Sequence, residues 1–200
     1  MNLKRSFNSI LVLSVMALAS LAGFGQASSP YALPNLPGKG VAGGVHNVPH
    51  SFGDQAFVKL VLERVLAEEQ LGQLAQQKSE SSDVKALGQK IVENRTALDE
   101  QFKTLAKLLE ISAPTAPSKK DSQLIARLSG LSGAQFDEEY IKTVAKNNKQ
   151  DLQDFQSESQ KAEDADLLRA TQEDVPVISK YSQVIDAAAS AHNVALDAKK

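Results

Sequence analysis

From Phe57 onward, apolar residues recur at steps of three and four along most of the chain. That interval keeps side chains on one face of an α-helix, so each such stripe marks a helix with one side turned to a core. The first stripe is Phe57, Val61, Val65, Glu68, Gly72 and Ala75; the second is Val84, Leu87, Ile91, Arg95, Leu98, Phe102, Leu105 and Leu109. A third runs Ile141, Val144, Asn148, Leu152 and Phe155, and a fourth Ile178, Tyr181, Ile185 and Ala188. Punctuation around the stripes sets expected boundaries. Asp54 is placed to cap a first helix ending at Lys78, and Ser82 a second that ends near Glu110, before Pro114 and Pro117. A short helix follows Asp121 through SQLIARL and stops at Gly130. Ser132 or Gly133 opens the third long helix, to about Ala162. Asp164 or Asp166 caps the fourth, which reaches about Asn193 and holds Pro176, where a kink is expected.

No run of alternating β-branched residues competes with these helices. The fold expected is all-α: a four-helix bundle with a short extra helix in the connection between the second and third long helices. Short loops force antiparallel pairing of the first helix with the second and of the third with the fourth. The connection 111–132 is long enough either to return locally or to cross the length of the bundle.

Each stripe carries one polar residue near its middle: Glu68, Arg95, Asn148 and Tyr181. Buried charge needs a partner, so four such residues predict a polar layer across the bundle. Glu68 pairs with Arg95 in this reading, and Asn148 and Tyr181 complete the hydrogen bonding. Glu93, Asp99 and Glu100 fall off the stripe and belong in solvent, as do Lys142, Lys146, Lys149 and Asp151 on the third long helix.

The N-terminal region reads differently. Lys4 and Arg5 precede an apolar run from Ile10 to Phe24, and Gly25-Gln26-Ala27 offers small residues at both critical positions of a cleavage site. Residues 1–27 are therefore expected to be a signal peptide. A retained anchor is the other reading, but the run is shorter than the ~20 residues a spanning helix needs. No later segment could span a bilayer as a helix. Residues 28–53 are rich in proline and glycine and read as a linker, mostly disordered. The bundle domain is set at 54–193, with a frayed tail at 194–200. Loss of the leader takes two of the 22 basic residues and none of the 24 acidic ones, so the remaining chain is more acidic than the formal −2 of the whole. That balance gives no reason to bind nucleic acid. There is no cysteine, so an exported chain must rely on its core, without disulfides.

Candidate chemistry is sparse. Gly38, Gly40 and Gly43 spell a dinucleotide fingerprint, but the strand and helix that give it meaning are missing beside flanking prolines. The three histidines are His46, His50 and His192, all outside the bundle middle. None follows an acid by three residues, as di-iron bundles require, and Pro49 disfavours a clip of His46 with His50. No serine–histidine arrangement is supported, so no hydrolase is expected. Asn94-Arg95-Thr96 forms a glycosylation sequon within a helix, which reads as accidental.

The segments FVKLVLERVLAEEQLGQLA (57–75), VKALGQKIVENR (84–95), LSGLSGAQFDEEYIKTVAKNN (128–148) and VPVISKY (175–181) resemble the bacterial family called domain of unknown function 4142. The resemblance covers about residues 55–190 and is most specific at Gly133 to Tyr140. It implies an exported, ferritin-like four-helix bundle, of a kind often labelled a membrane or outer-membrane protein. It also implies a glutamate and three histidines converging from four helices, a constellation suited to a metal or a proton. Here the glutamate is Glu68, while the histidine positions hold Arg95, Asn148 and Tyr181. The expectation is thus a non-enzymatic exported module, periplasmic or envelope-associated, with no cofactor and with an envelope protein or small ligand as partner. The alternative is a ferritin-like metal-binding or redox protein using Glu68.

Overall fold

The computed structural model describes residues 50–196, which contain five helices and, among these residues, no strand. They are α1 (Phe52–Lys78), α2 (Ser82–Leu108), α3 (Lys119–Ser129), α4 (Gly133–Lys161) and α5 (Ala165–Ala191). The expected signal peptide and nearly all of the expected linker lie outside the described residues.

Local chemistry explains several of the helix ends. Ser118 accepts from the backbone N–H of Asp121 at the start of α3, and Asp164 accepts from those of Asp166 and Leu167 at the start of α5. Helix α4 opens at Gly133 with φ +55°, a left-handed conformation that glycine adopts without a Cβ penalty. At the ends of α2 and α5 the same left-handed turn is made by Glu110 and Asn193. There the N–H groups of Ile111 and Val194 bond back to the carbonyls of Ala106 and Ala189. Helix α5 runs unbroken through Pro176, whose missing N–H leaves the carbonyl of Gln172 without its helical donor.

Asp54 does not cap α1. It lies buried inside the first turn, and its carboxylate accepts from the backbone N–H groups of Glu163 and Asp164. This contact ties the start of α1 to the α4–α5 loop and so orients the bundle. At the opposite end, His192 after α5 meets Asp83 at the start of α2. Helix α2 finishes at the Asp54 end, where Gln55 donates to the carbonyl of Leu109, whereas α4 begins at the far end. The 109–132 connection therefore crosses the length of the bundle, with α3 packed on α1 and α4. One long crossover between two antiparallel hairpins is ferritin-like connectivity.

Two apolar clusters fill the interior. One holds Phe57, Phe102 and Phe155, whose ring centroids lie 5.2–6.2 Å apart, with Leu62, Leu98, Leu167 and Ile178. The other holds Leu71, Ile91, Leu128, Ile141, Ile185 and the stacked pair Phe136 and Tyr140. The polar residues of the stripes fall between them.

The backbones of α1 and α2 approach closely at Gly72 and Gly88. A Cβ on Gly88 would stand 2.7 Å from the carbonyl oxygen of Gly72, and one on Gly72 2.6 Å from that of Gly88. Both obstacles are backbone, which cannot turn aside. Alanine gains ~1 kcal/mol of helix propensity over glycine, but overpacking costs ~1–3 kcal/mol. Gly88→Val, which adds more volume still, should lower stability by roughly 2–3 kcal/mol in chemical denaturation.

Candidate functional site

The stripes of α1 and α2 bring Glu68 and Arg95 face to face between the apolar clusters. Glu68 is 5 % exposed and Arg95 6 %, and the guanidinium Nε donates to the carboxylate. A second guanidinium nitrogen of Arg95 donates to Asp151 on α4 at 2.9 Å. The other oxygen of Asp151 accepts from Arg64 on α1 at 3.1 Å, and Arg64 also reaches Asp154 at 2.6 Å. The side chain of Asn147 on α4 also favours the charged form of Glu68. The result is a continuous ladder across three helices, Glu68–Arg95–Asp151–Arg64–Asp154.

Helix α5 completes the surroundings of Arg95. Asp174 is 2 % exposed, one of its oxygens has no hydrogen-bond partner among the described residues, and the charge of Arg95 acts on it. Burial, reinforced by neighbouring Glu173, pushes the Asp174 carboxyl up to about 7 against the pull of Arg95. Glu68 is likewise raised to about 7, because desolvation outweighs the attraction of Arg95. The buried Tyr140 hydroxyl lacks a hydrogen-bond partner among the described residues, and its pKa is driven up by burial first and by Glu68 second.

Asn148 and Tyr181 take other roles from those the stripes suggest. Asn148 is buried but turns to α5, donating to Ser182 Oγ at 2.9 Å. Tyr181 is only half-buried, and its hydroxyl donates to the backbone carbonyl of Lys90 at 3.0 Å. Neither completes the hydrogen bonding of Glu68 and Arg95. Asp151 takes that place on Arg95. Asp151, expected in solvent, is 4 % exposed, whereas Leu152 is half-buried. The α4 stripe in fact runs 141, 144, 148, 151, 155, steps of three and four that the apolar Leu152 disguised. Extending the α5 stripe back from Ile178 gives Asp174, Thr171 and Leu167, all buried, which is the signal for Asp174. Asp99, also expected in solvent, is half-buried and pairs with Lys103.

A serine, a histidine and an aspartate do meet, contrary to the sequence reading. His192 Nε2 lies 2.8 Å from Asp83 and 3.4 Å from Ser81 Oγ, and the Ser81 hydroxyl also contacts Asp83. Both partners share one imidazole nitrogen. A catalytic triad needs the acid on one ring nitrogen and the nucleophile on the other. The three residues instead join the ends of α2 and α5.

Nor does the central layer suit a cation. The carboxylate of Glu68 is engaged by Arg95, and both oxygens of Asp151 are held by guanidinium groups. A metal would need those oxygens and would have to share the space with a fixed positive charge. The recess lined by Val61, Glu68, Arg95, Leu98, Asp151 and Phe155 has no room for a water molecule. Among the described residues, no three histidine, cysteine, aspartate or glutamate side chains are grouped to hold a metal.

The family model described as "Domain of unknown function (DUF4142)" matches residues 45–188. No curated protein matches the chain. Among solved structures, the chain is similar to a DUF305 protein from Streptomyces coelicolor, assigned as secreted, at 8% identity and a TM-score of 0.61 over 73% of this chain and 96% of that one. At that identity the likeness is one of fold alone.

Proposed function

The chain belongs to the family described as a domain of unknown function (DUF4142), and we propose that this member is an exported, non-enzymatic helical module of the cell envelope or periplasm that works through its outer surface. The observation that carries the reading is the arginine at the bundle centre, paired with carboxylates of the chain itself. Position 95 is a guanidinium bonded to two carboxylates from two other helices, so the layer where the family resemblance implies a metal or proton site is occupied by the chain's own cation. Export is supported by the charged start, apolar run and small-residue cleavage site at residues 1–27. It is supported too by the secreted assignment of the structural neighbour. Among the described residues, no helix is long and apolar enough to cross a membrane. The partner is then an envelope protein or a small ligand met at the surface.

Two measurements test this. In cells expressing the gene, the envelope or periplasmic fraction should contain a chain whose N-terminus is Ser28; a full-length chain confined to the cytosol overturns export. Purified protein challenged with zinc or ferrous iron should retain no stoichiometric metal after desalting. Retention that disappears in Glu68→Gln would restore the metal-binding reading.

A further inference from the structure

Four carboxyls, Glu68, Asp151, Asp154 and Asp174, share the layer with two guanidiniums, those of Arg64 and Arg95. Fully ionised, the layer would hold more negative than positive charge between two apolar clusters, and burial penalises that excess. The members are not equally placed to relieve it. Asp151 has both oxygens on arginines, Asp154 reaches solvent beside Arg64, and Glu68 is bonded to Arg95. Asp174 alone among these four carboxyls has a buried oxygen without a hydrogen-bond partner among the described residues. Glu68 on α1 and Asp151 on α4 bond the guanidinium of Arg95, whereas Asp174 on α5 feels its charge while remaining buried.

We propose that this layer is a proton-operated latch: Asp174 carries a proton in the closed bundle, and losing it as the medium turns alkaline loosens α5 from α2. The charged groups that act on Asp174 are few. Glu173 on its own helix opposes ionisation, and Arg95 on α2 favours it; beyond Arg95 stand Glu68 on α1 and Asp151 on α4. Loosening falls where α5 is weakest, because Pro176, two residues on, has already removed one helical hydrogen bond.

The direction in pH follows from linkage. A carboxyl with a raised folded pKa binds its proton more tightly in the native state than in the unfolded chain. The stability it contributes is complete below the ordinary aspartate range near ~4 and is lost as pH rises toward about 7. One linked proton changes the unfolding constant by up to about tenfold per pH unit within that window.

Equilibrium unfolding of the wild-type protein between about pH 5 and about pH 8 should therefore show an unfolding constant that rises with pH. Asp174→Asn should flatten the rise by about tenfold or more over the range, while Glu68→Gln should retain Asp174's share of it. Amide hydrogen exchange, corrected for its intrinsic pH dependence, should accelerate in residues 167–178 of α5 ahead of α1. Should Asp174→Asn fail to fold, infrared spectra of the wild type with isotopically labelled aspartate decide the matter. They should show a protonated aspartic acid near neutral pH that vanishes on alkalinisation. A wild-type response flat in pH, a slope unchanged in Asp174→Asn, or exchange that rises equally in every helix overturns the proposal.

Discussion

Arg95→Leu should destabilise the protein by ~3–5 kcal/mol, because it leaves Glu68 and Asp151 as buried acids without their shared cation. Urea denaturation near neutral pH measures it. The comparison that gives the number meaning is with multiple leucine substitutions. Had Glu68 and Arg95 been an isolated pair, replacing both would be nearly neutral, since the desolvation of two ions roughly offsets their attraction. The ladder changes that expectation. Glu68→Leu with Arg95→Leu still removes one of the two arginines from Asp151, although Arg64 remains on its other oxygen. The double variant should thus fall between the single Arg95→Leu and the wild type. Adding Asp151→Leu should recover further stability, because Arg64 keeps Asp154. A double variant as unstable as Arg95→Leu alone would mean that the layer's energy lies in packing, not in stranded charge.

Phe102→Ala should cost ~3–5 kcal/mol, enough to leave a domain of ordinary stability barely folded. Phe102 is fully buried and stands between Phe57 at 6.2 Å and Phe155 at 5.7 Å, so three of the four long helices meet on its ring. Truncation leaves a cavity whose walls are the other two rings, each fixed by its own helix. Thermal melts would register the loss, and Phe102→Leu should recover roughly half of it. A small effect for alanine would show that α1 and α4 collapse into the space, which the nearby ion-pair ladder between Arg64 and Asp151 should resist.

The two residues of the layer that the sequence identified best, Glu68 and Arg95, were legible because each interrupts an otherwise regular stripe with a charge. Asp151 was not. At that place α4 offers two adjacent residues, and hydropathy prefers Leu152, whereas the helical step prefers 151. The decision depends on Arg95 and Arg64, which approach from other helices and make burial of an acid favourable there. Asn148 and Tyr181 show the converse. Both interrupt their stripes, but Asn148 bonds Ser182 on α5 and Tyr181 bonds the backbone carbonyl of Lys90. Asp54 is a similar case. An aspartate near a helix start is ordinarily a cap, yet its carboxylate is spent on N–H groups more than a hundred residues away.

By itself the sequence determined the helices, their order, the two antiparallel hairpins and the split of the core by charge. All of these depend on periodicity and punctuation within a few turns of chain. Only the tertiary structure decided that the connection between the hairpins runs the length of the bundle, that Gly72 and Gly88 bring two backbones nearly into contact, and which acids stand around Arg95. Those outcomes depend on distances between residues remote in sequence. There a side chain is assigned its place by what faces it from another helix, a quantity no local pattern contains.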